Sequence, residues 1–233
     1  MNELRPYASL GGANYGWLDA KHHFSFANQG DPKREGWGNL RVWNDDSIAP
    51  QSGFPPHSHR DMEIITYVRE GAITHQDSLG NFGRTEAGDV QVMSAGTGIT
   101  HAEYNKENVT TRIFQIWIQP TRSGEKPSWG ARPFPKGERA GRFVILASGF
   151  DNDDDALPIR ANARAAGASL KAGETAFYPL GDVRCGYLVA ATGTVEIDGQ
   201  RANARDGVAI SGIDTLTVTA IEDSEIILVD AAY

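Results

Sequence analysis

The sequence predicts an all-β chain built as two antiparallel barrels. Three observations carry this expectation. Short runs of β-branched and aromatic residues recur at roughly 8–12-residue spacing, with turn residues between them. No long amphipathic helix is visible anywhere in the 233 residues. One phrase of strand, glycine turn and strand occurs in both halves of the chain. The composition agrees: 40% hydrophobic, 22% charged, with 26 Gly and 11 Pro, it suits a turn-rich folded protein rather than a disordered one.

Residues 1–50 are irregular and carry Trp17, Phe24, Phe26, Trp37 and Trp43. His23-Phe24-Ser25-Phe26 and Leu40-Arg41-Val42-Trp43 alternate like short strands, and Asn44-Asp45-Asp46 reads as a turn. His22 and His23 have no ligand-type residue at i+2 and are assigned to packing. Gly53-Phe54-Pro55-Pro56 is a rigid lead-in to His57-Ser58-His59. Strands are expected at 62–68, 72–77, 90–93 and 112–118, with turns at 70–71, 79–81 and 86–89. The glycine-rich bend at 94–98 delivers His101-Ala102-Glu103. Residues 119–140 are proline-punctuated and read as a connector. The expected limits are a first barrel over 1–133, a linker over 134–140 and a second barrel over 141–233. In that second barrel, strands are expected at 143–146, 175–178, 187–190, 195–197, 208–210, 216–219 and 225–229. The Ala-rich stretch 160–168 is a candidate short helix, opposed by Gly167 and the lack of an apolar stripe.

The two halves share their turn grammar. Glu70-Gly71 followed by Ala87-Gly88-Asp89-Val90 corresponds to Thr192-Gly193 followed by Asp206-Gly207-Val208. Setting Gly71 on Gly193 places Pro179 and Gly181 where His57 and His59 stand, and neither can ligate through a side chain. All six histidines lie at or before position 101. Metal chemistry is therefore expected in the first barrel alone.

Charge and cysteine content exclude other classes. The net charge is -8 and the pI about 5.2, with no Lys/Arg block, so direct nucleic-acid binding is not expected. The acidic run at 151–155 reads as a solvated loop. The single Cys185 sits in an apolar run, forms no internal disulfide and has no histidine in its half to act as a base. There is no apolar leader and no stretch near the ~18 residues a membrane span needs, so a cytoplasmic, unanchored protein is expected.

Two dyads carry the chemistry. Residues i and i+2 of a strand share a face, so His57 with His59 and His101 with Glu103 each present two donors together. If those strands are neighbours, three imidazoles and one carboxylate converge. Such a set suits Fe(II), Mn(II), Ni(II), Co(II) or Zn(II), and suits neither Ca(II) nor Cu(I). Six histidines in this length make one chance H-x-H pair a real risk, so the second dyad is what gives the pattern its weight. Glu63, at i+4 from His59, is expected to support the site, and His75 is expected to be an ordinary hairpin residue.

The arrangement Gly53-x3-His57-x-His59-x3-Glu63-x7-Gly71 resembles the first cupin motif, and Gly88 through Gly98-x2-His101-x3-Asn105 resembles the second. Together with Gly16-Trp17-Leu18, His23-Phe24-Ser25-Phe26, Asn44-Asp45-Asp46, His75-Gln76-Asp77-Ser78 and Met93-Ser94-Ala95-Gly96-Thr97-Gly98, the chain resembles the pirin family of bicupins. The match is dense over residues 14–119 and rests on architecture beyond the connector. The resemblance implies two jelly-roll cupin barrels with one metal in the first, held by His57, His59, His101 and Glu103. Fe(II) is the expected metal, with Mn, Ni, Co, Cu and Zn as alternatives. Some members of the family cleave flavonols such as quercetin with O2, as quercetin 2,3-dioxygenases. Others are partners of transcription factors or metabolic enzymes. The first expectation is thus a flavonol dioxygenase in which Glu103 is both ligand and catalytic base. Its pocket wall would be drawn from Phe54, Met62, Ile64, Met93, Phe114 and Ile116. The alternative is a non-enzymatic, metal-binding regulatory protein with a protein partner.

Overall fold

The alternating, β-branched runs become strands almost throughout, and the chain is all-β. The computed structural model describes residues 2–26 and 31–233. In the first half the strands are β1 (Asn2–Arg5), β2 (Gly11–Asn14), β3 (Leu18–His22), β4 (Leu40–Ile48), β5 (Ser52–His59) and β6 (Glu63–Glu70). They continue as β7 (Ala72–Asp77), β8 (Phe82–Glu86), β9 (Val90–Ser94), β10 (Ile99–Asn105), β11 (Thr111–Ile118) and β12 (Ser128–Arg132). The second half holds β13 (Val144–Ser148), β14 (Leu157–Pro158), β15 (Ala163–Leu170), β16 (Thr175–Pro179) and β17 (Arg184–Thr192). It ends with β18 (Val195–Ile197), β19 (Gln200–Ala202), β20 (Gly207–Ser211), β21 (Thr215–Ala220) and β22 (Ser224–Ala232). No helix among the described residues is long and apolar enough to cross a membrane.

Each half pairs a seven-stranded sheet with a four-stranded one. The first half is ordered β12-β9-β6-β11-β4-β3-β2 and β5-β10-β7-β8. The second is ordered β1-β20-β17-β22-β15-β13-β14 and β16-β21-β18-β19. The two orders correspond strand for strand, which is the bicupin repeat in physical form. One position is filled differently. Beside β9 the edge is closed by β12, part of the proline-punctuated connector, with Trp129 opposite Met93. Beside β20 it is closed by β1, whose residues run from Asn2 opposite Ile210 to Arg5 opposite Gly207. The start of the chain, expected with the first barrel, is thus a strand of the second sheet.

The central strands β4, β6, β9 and β11 are buried on both faces, so they read as near-continuous runs rather than clean alternation. One face packs Trp43, Ile65, Tyr67, Val92 and Phe114 against Ala165, Tyr187, Val189, Ile227 and Val229 in a single core between the barrels. The Trp43 ring lies 5.4 Å from Phe114 and 5.5 Å from Tyr187. Each such large side chain contributes about 1.5–3 kcal/mol by leaving water. By the period of two, the alternate residues Asn44, Asp46, Thr66, Gln91 and Gln115 face the barrel interior, and all five are buried. The second barrel is filled instead by apolar residues, with Leu216, Val218 and Ala220 on β21, the counterpart of β10.

Three expectations are corrected, and a strand is added to those expected. Asn44-Asp45-Asp46 is no turn but the middle of β4. Its composition misleads because Asp45 is charge-compensated, receiving hydrogen bonds from Arg69 of β6 and Arg205 of the second half. The stretch 160–168 is no helix: β15 lies between β22 and β13, and pairing overrides local preference. Its small residues have a packing reason, since a Cβ on Gly167 would stand 2.8 Å from the Arg139 guanidinium. His23–Phe26 is not a strand, because β3 ends at His22 and the chain then bends to bury His23. The strand β8 has no sequence signature, being an exposed edge whose Gly83 leaves room for the Trp129 ring.

His23 is fully buried and its Nδ1 lies 2.9 Å from the Tyr187 hydroxyl. Burial, reinforced by the Arg5 guanidinium, holds its imidazole down to about 3. An unfolded histidine near 6.5 takes up a proton that the folded one refuses, so stability falls as pH drops from about 6.5 toward 3. This group alone supplies a slope of about 1.4 kcal/mol per pH unit in that window. Urea unfolding at pH 7 and pH 5 should show a smaller acid loss in His23→Gln than in the unsubstituted protein; equal losses would refute the assignment.

Candidate metal centre

Strands β5 and β10 lie side by side and antiparallel, with His101 opposite His57 and Ile99 opposite His59. Two residues further along β10, Glu103 faces Phe54, so β5 carries one extra residue across that interval. The extra residue falls at Pro55-Pro56, where missing N–H groups already interrupt the ladder. The nitrogens of His57, His59 and His101 lie within 4.8 Å of one another. Their ring centroids are separated by 4.8 Å (57 to 59), 4.4 Å (57 to 101) and 5.0 Å (59 to 101).

The electrostatics favour ligation. His57 Nδ1 is 2.8 Å from the Pro55 carbonyl oxygen. A carbonyl only accepts, so Nδ1 is the donor there and Nε2 is the nitrogen left to face the centre. Burial, then the neighbouring His57, holds His59 down to about 4. His101 is held down to about 2 by burial first, and then by His57, His59 and His75. Both ring nitrogens of His101 are buried without a protein hydrogen-bond partner. Imidazoles kept unprotonated in this way are the form a metal needs.

Glu103 is buried and firmly held. Its Oε1 accepts from Thr66 Oγ1 at 3.2 Å and Gln91 Nε2 at 2.6 Å, and its Oε2 accepts from Gln115 Nε2 at 2.8 Å. Burial pushes the carboxyl up to about 7 against those three donors. A cation beside it would favour the carboxylate. The structure groups Glu103 with His101 and His75, ligand atoms within 4.8 Å, rather than with all three other expected ligands. His101 belongs to both groups and joins them.

His75, expected to be an ordinary hairpin residue, does lie in the β7–β8 hairpin, yet it also stands beside the candidate ligands. It lies on β7 opposite Glu103, fully buried and stacked on Trp129 at 4.7 Å and 9°. Its Nε2 donates to Asp77 Oδ2 at 2.9 Å. The signal was present as His75-x-Asp77, the same i, i+2 rule that marks the two dyads. Glu63 goes the other way. Asp61, at φ 47°, breaks the chain after His59, and Glu63 opens β6 in the other sheet. There it accepts from Ser94 Oγ at 2.6 Å and from the Arg160 backbone N–H at 3.1 Å, linking the barrels rather than supporting the histidines.

A cavity of about 250 Å³ adjoins His57, with Leu18, Phe26, Phe54, Gln115 and Trp117 among its lining residues. Of the expected pocket wall, Phe54 lines this cavity. Ile64 and Met93 pack with Ala95 and Ile99, against Met62. Phe114 and Ile116 point the opposite way into the core between the barrels, as their places on β11 dictate.

The Pirin family model matches residues 3–118, and a model described as the quercetinase C-terminal cupin domain matches residues 145–231. A pirin-like protein of Caulobacter vibrioides is 66% identical over 232 residues, covering 100% of both chains. The chain belongs to the pirin family. Quercetin 2,3-dioxygenase of Escherichia coli K12 is 40% identical over 231 residues, 99% of this chain and 98% of its own. The crystal structure of the bacterial pirin YhhW from Escherichia coli, in complex with nickel(II), superimposes with a TM-score of 0.93 at 39% identity. That match covers 100% of this chain and 99% of the other. The bicupin architecture of this pirin is therefore that of its solved relatives.

Gln91 makes the shortest hydrogen bond to Glu103. Gln91→Leu should leave the strand spectrum unchanged while weakening metal retention about 10–100-fold. Competition against a chromogenic chelator measures this; unchanged retention would show that the Glu103 network does not serve the metal.

Proposed function

We propose that this pirin is a metal-dependent dioxygenase of the quercetin 2,3-dioxygenase type, which opens a flavonol ring with O2. The observation that carries the reading is the trio of imidazoles His57, His59 and His101, joined through His101 to the group that holds the buried Glu103 carboxylate, beside an aromatic-walled cavity. The residues fit a metal: His101 keeps two buried nitrogens without protein partners, and His57 donates from Nδ1, which leaves Nε2 to face the centre. His57, His59, His101 and Glu103 would hold it. A set of three nitrogens and one oxygen suits Fe(II), Mn(II), Ni(II) or Co(II), with Fe(II) our first assignment. When bound, the metal supplies a Lewis acid that stabilises a hydroxyl oxygen of the substrate as an oxyanion.

The chain's own groups then have distinct tasks. Glu103 Oε1 already accepts two hydrogen bonds, whereas Oε2 accepts one. Oε2 therefore has capacity left to face the metal or to take the proton of the substrate's hydroxyl. Phe54 and Trp117 give flat apolar walls for an aromatic ring, and His59 packs edge-on to Trp117 at 4.9 Å. Their rings keep water away from the reacting face.

Protein loaded in turn with Fe, Mn, Ni, Co and Cu, and mixed with quercetin in air, should bleach the flavonol absorbance with at least one metal. His57→Ala and Glu103→Ala should each lower that rate on the order of 100-fold or more. Silence with every metal would sink the enzymatic reading and favour the regulatory one. Activity that survives both substitutions would place the reaction elsewhere.

A further inference from the structure

The cavity beside His57 has a polar floor that the dioxygenase reading leaves without a task. In the register of β3, β4 and β11, His22 lies opposite Asn44, and Asn44 opposite Gln115. Directly opposed residues on one face stand ~5 Å apart at Cβ, so these three form a polar row. The row ends at Gln115, which donates to Glu103. Asp46, two residues beyond Asn44 on β4, shares the same face. His22, Asn44, Asp46 and Gln115 all line the cavity. Each of the first three is more than nine-tenths buried, at 8%, 5% and 2% exposure. Each also keeps a buried polar atom without a protein hydrogen-bond partner: His22 Nδ1, Asn44 Oδ1 and Asp46 Oδ1.

Three orphaned polar atoms on one cavity floor are costly to a fold, and buried polar groups ordinarily find partners. They also sit under apolar walls, the arrangement by which a pocket fixes a ligand's orientation with few polar groups. We propose that Asp46, with Asn44 and His22 beside it, anchors a neutral aromatic hydroxyl on the substrate's fused ring, at the end away from the metal-binding oxygens. The assignment rests on the flavonol reading above and adds which part of the flavonol enters first.

Two features support the choice of a neutral hydroxyl. Asp46 Oδ1 and Asn44 Oδ1 are buried acceptors without a protein partner, and a hydroxyl can donate to either. An anionic group would instead meet the buried Asp46, with no Lys or Arg among the residues lining the cavity. The cavity of about 250 Å³ is also at the small end for a drug-sized ligand. It suits a fused two-ring unit, with the third ring left toward the exposed Tyr15 at the rim.

The test uses nickel-loaded protein without O2 and two probes that differ by one hydroxyl, 3-hydroxyflavone and 3,7-dihydroxyflavone. Calorimetry should show the dihydroxy probe binding about five- to tenfold more tightly. Asp46→Leu should abolish that preference while leaving the affinity for 3-hydroxyflavone unchanged, and Asp46→Asn, which keeps an acceptor oxygen, should retain much of it. The Tm of ligand-free Asp46→Leu should hold or rise, because the side chain removed has an oxygen without a protein partner. A fall in Tm together with equal losses for both probes would assign Asp46 a structural role and overturn the proposal. No preference in the unsubstituted protein, or no binding of either probe, would overturn it too. Turnover in air is scored separately. Selective binding without turnover counts against the dioxygenase reading alone, and turnover without selectivity counts against the anchor alone.

Discussion

The sheet formed by β9, β6, β11 and β4 has no solvent face, and the rest of the molecule follows from that constraint. A strand buried on both sides must find partners for both sets of alternate side chains. Here one set, with Trp43, Tyr67 and Phe114, is apolar and aromatic and meets the second barrel. The other set faces the interior and mixes the polar Asn44, Thr66, Gln91 and Gln115 with the apolar Ile48, Ile64, Val68, Met93 and Ile113. Three of those polar side chains converge on the Glu103 carboxylate. The same strands that hold the barrels together therefore orient the carboxylate of the candidate metal centre. A shift of one residue in register would exchange the two sets and lose both the interface and the site.

The second barrel shows what the first would be without that polar set. Its sheets have the same order, yet its interior is closed with Leu188, Val195, Ile197, Leu216 and Val218. The apolar filling and the missing ligand positions are one fact seen from two sides. Without a buried cation to satisfy, an interior carboxylate or imidazole would only cost stability. The second barrel instead supplies a firm wall, with Tyr187 among the rings packed on Trp43.

Much of this was legible in the residues because strand periodicity is short-range. His57-x-His59 and His101-x-Glu103 needed only the rule of two, together with a glycine bend that sets the strands side by side. The failures were long-range. Asn44-Asp45-Asp46 looks like a turn until Arg205, 160 residues away, is known to compensate Asp45. Stretch 160–168 looks helical until its place between β22 and β13 is known. Glu63 keeps the right spacing from His59, but the positive φ at Asp61 takes it into another sheet. His75 was set down as a hairpin residue although His75-x-Asp77 keeps the same spacing as the two dyads, because only the pairing of β7 with β10 brings it opposite Glu103.

The closing of the second sheet by β1 bears on how the chain acquires its structure in time. Asn2 pairs with Ile210, and the Tyr7 backbone N–H donates to Asp206 Oδ1 at 2.7 Å. Residues 2–5 thus find their partners roughly 200 residues later in the chain. The first barrel has its own edge strand in β12 and can assemble before them, while the leading segment waits unpaired. Such distant pairing slows folding and exposes a strand edge in the interim. This segment is in this way among the last to be fixed, because its partner strand, β20, lies far along the chain.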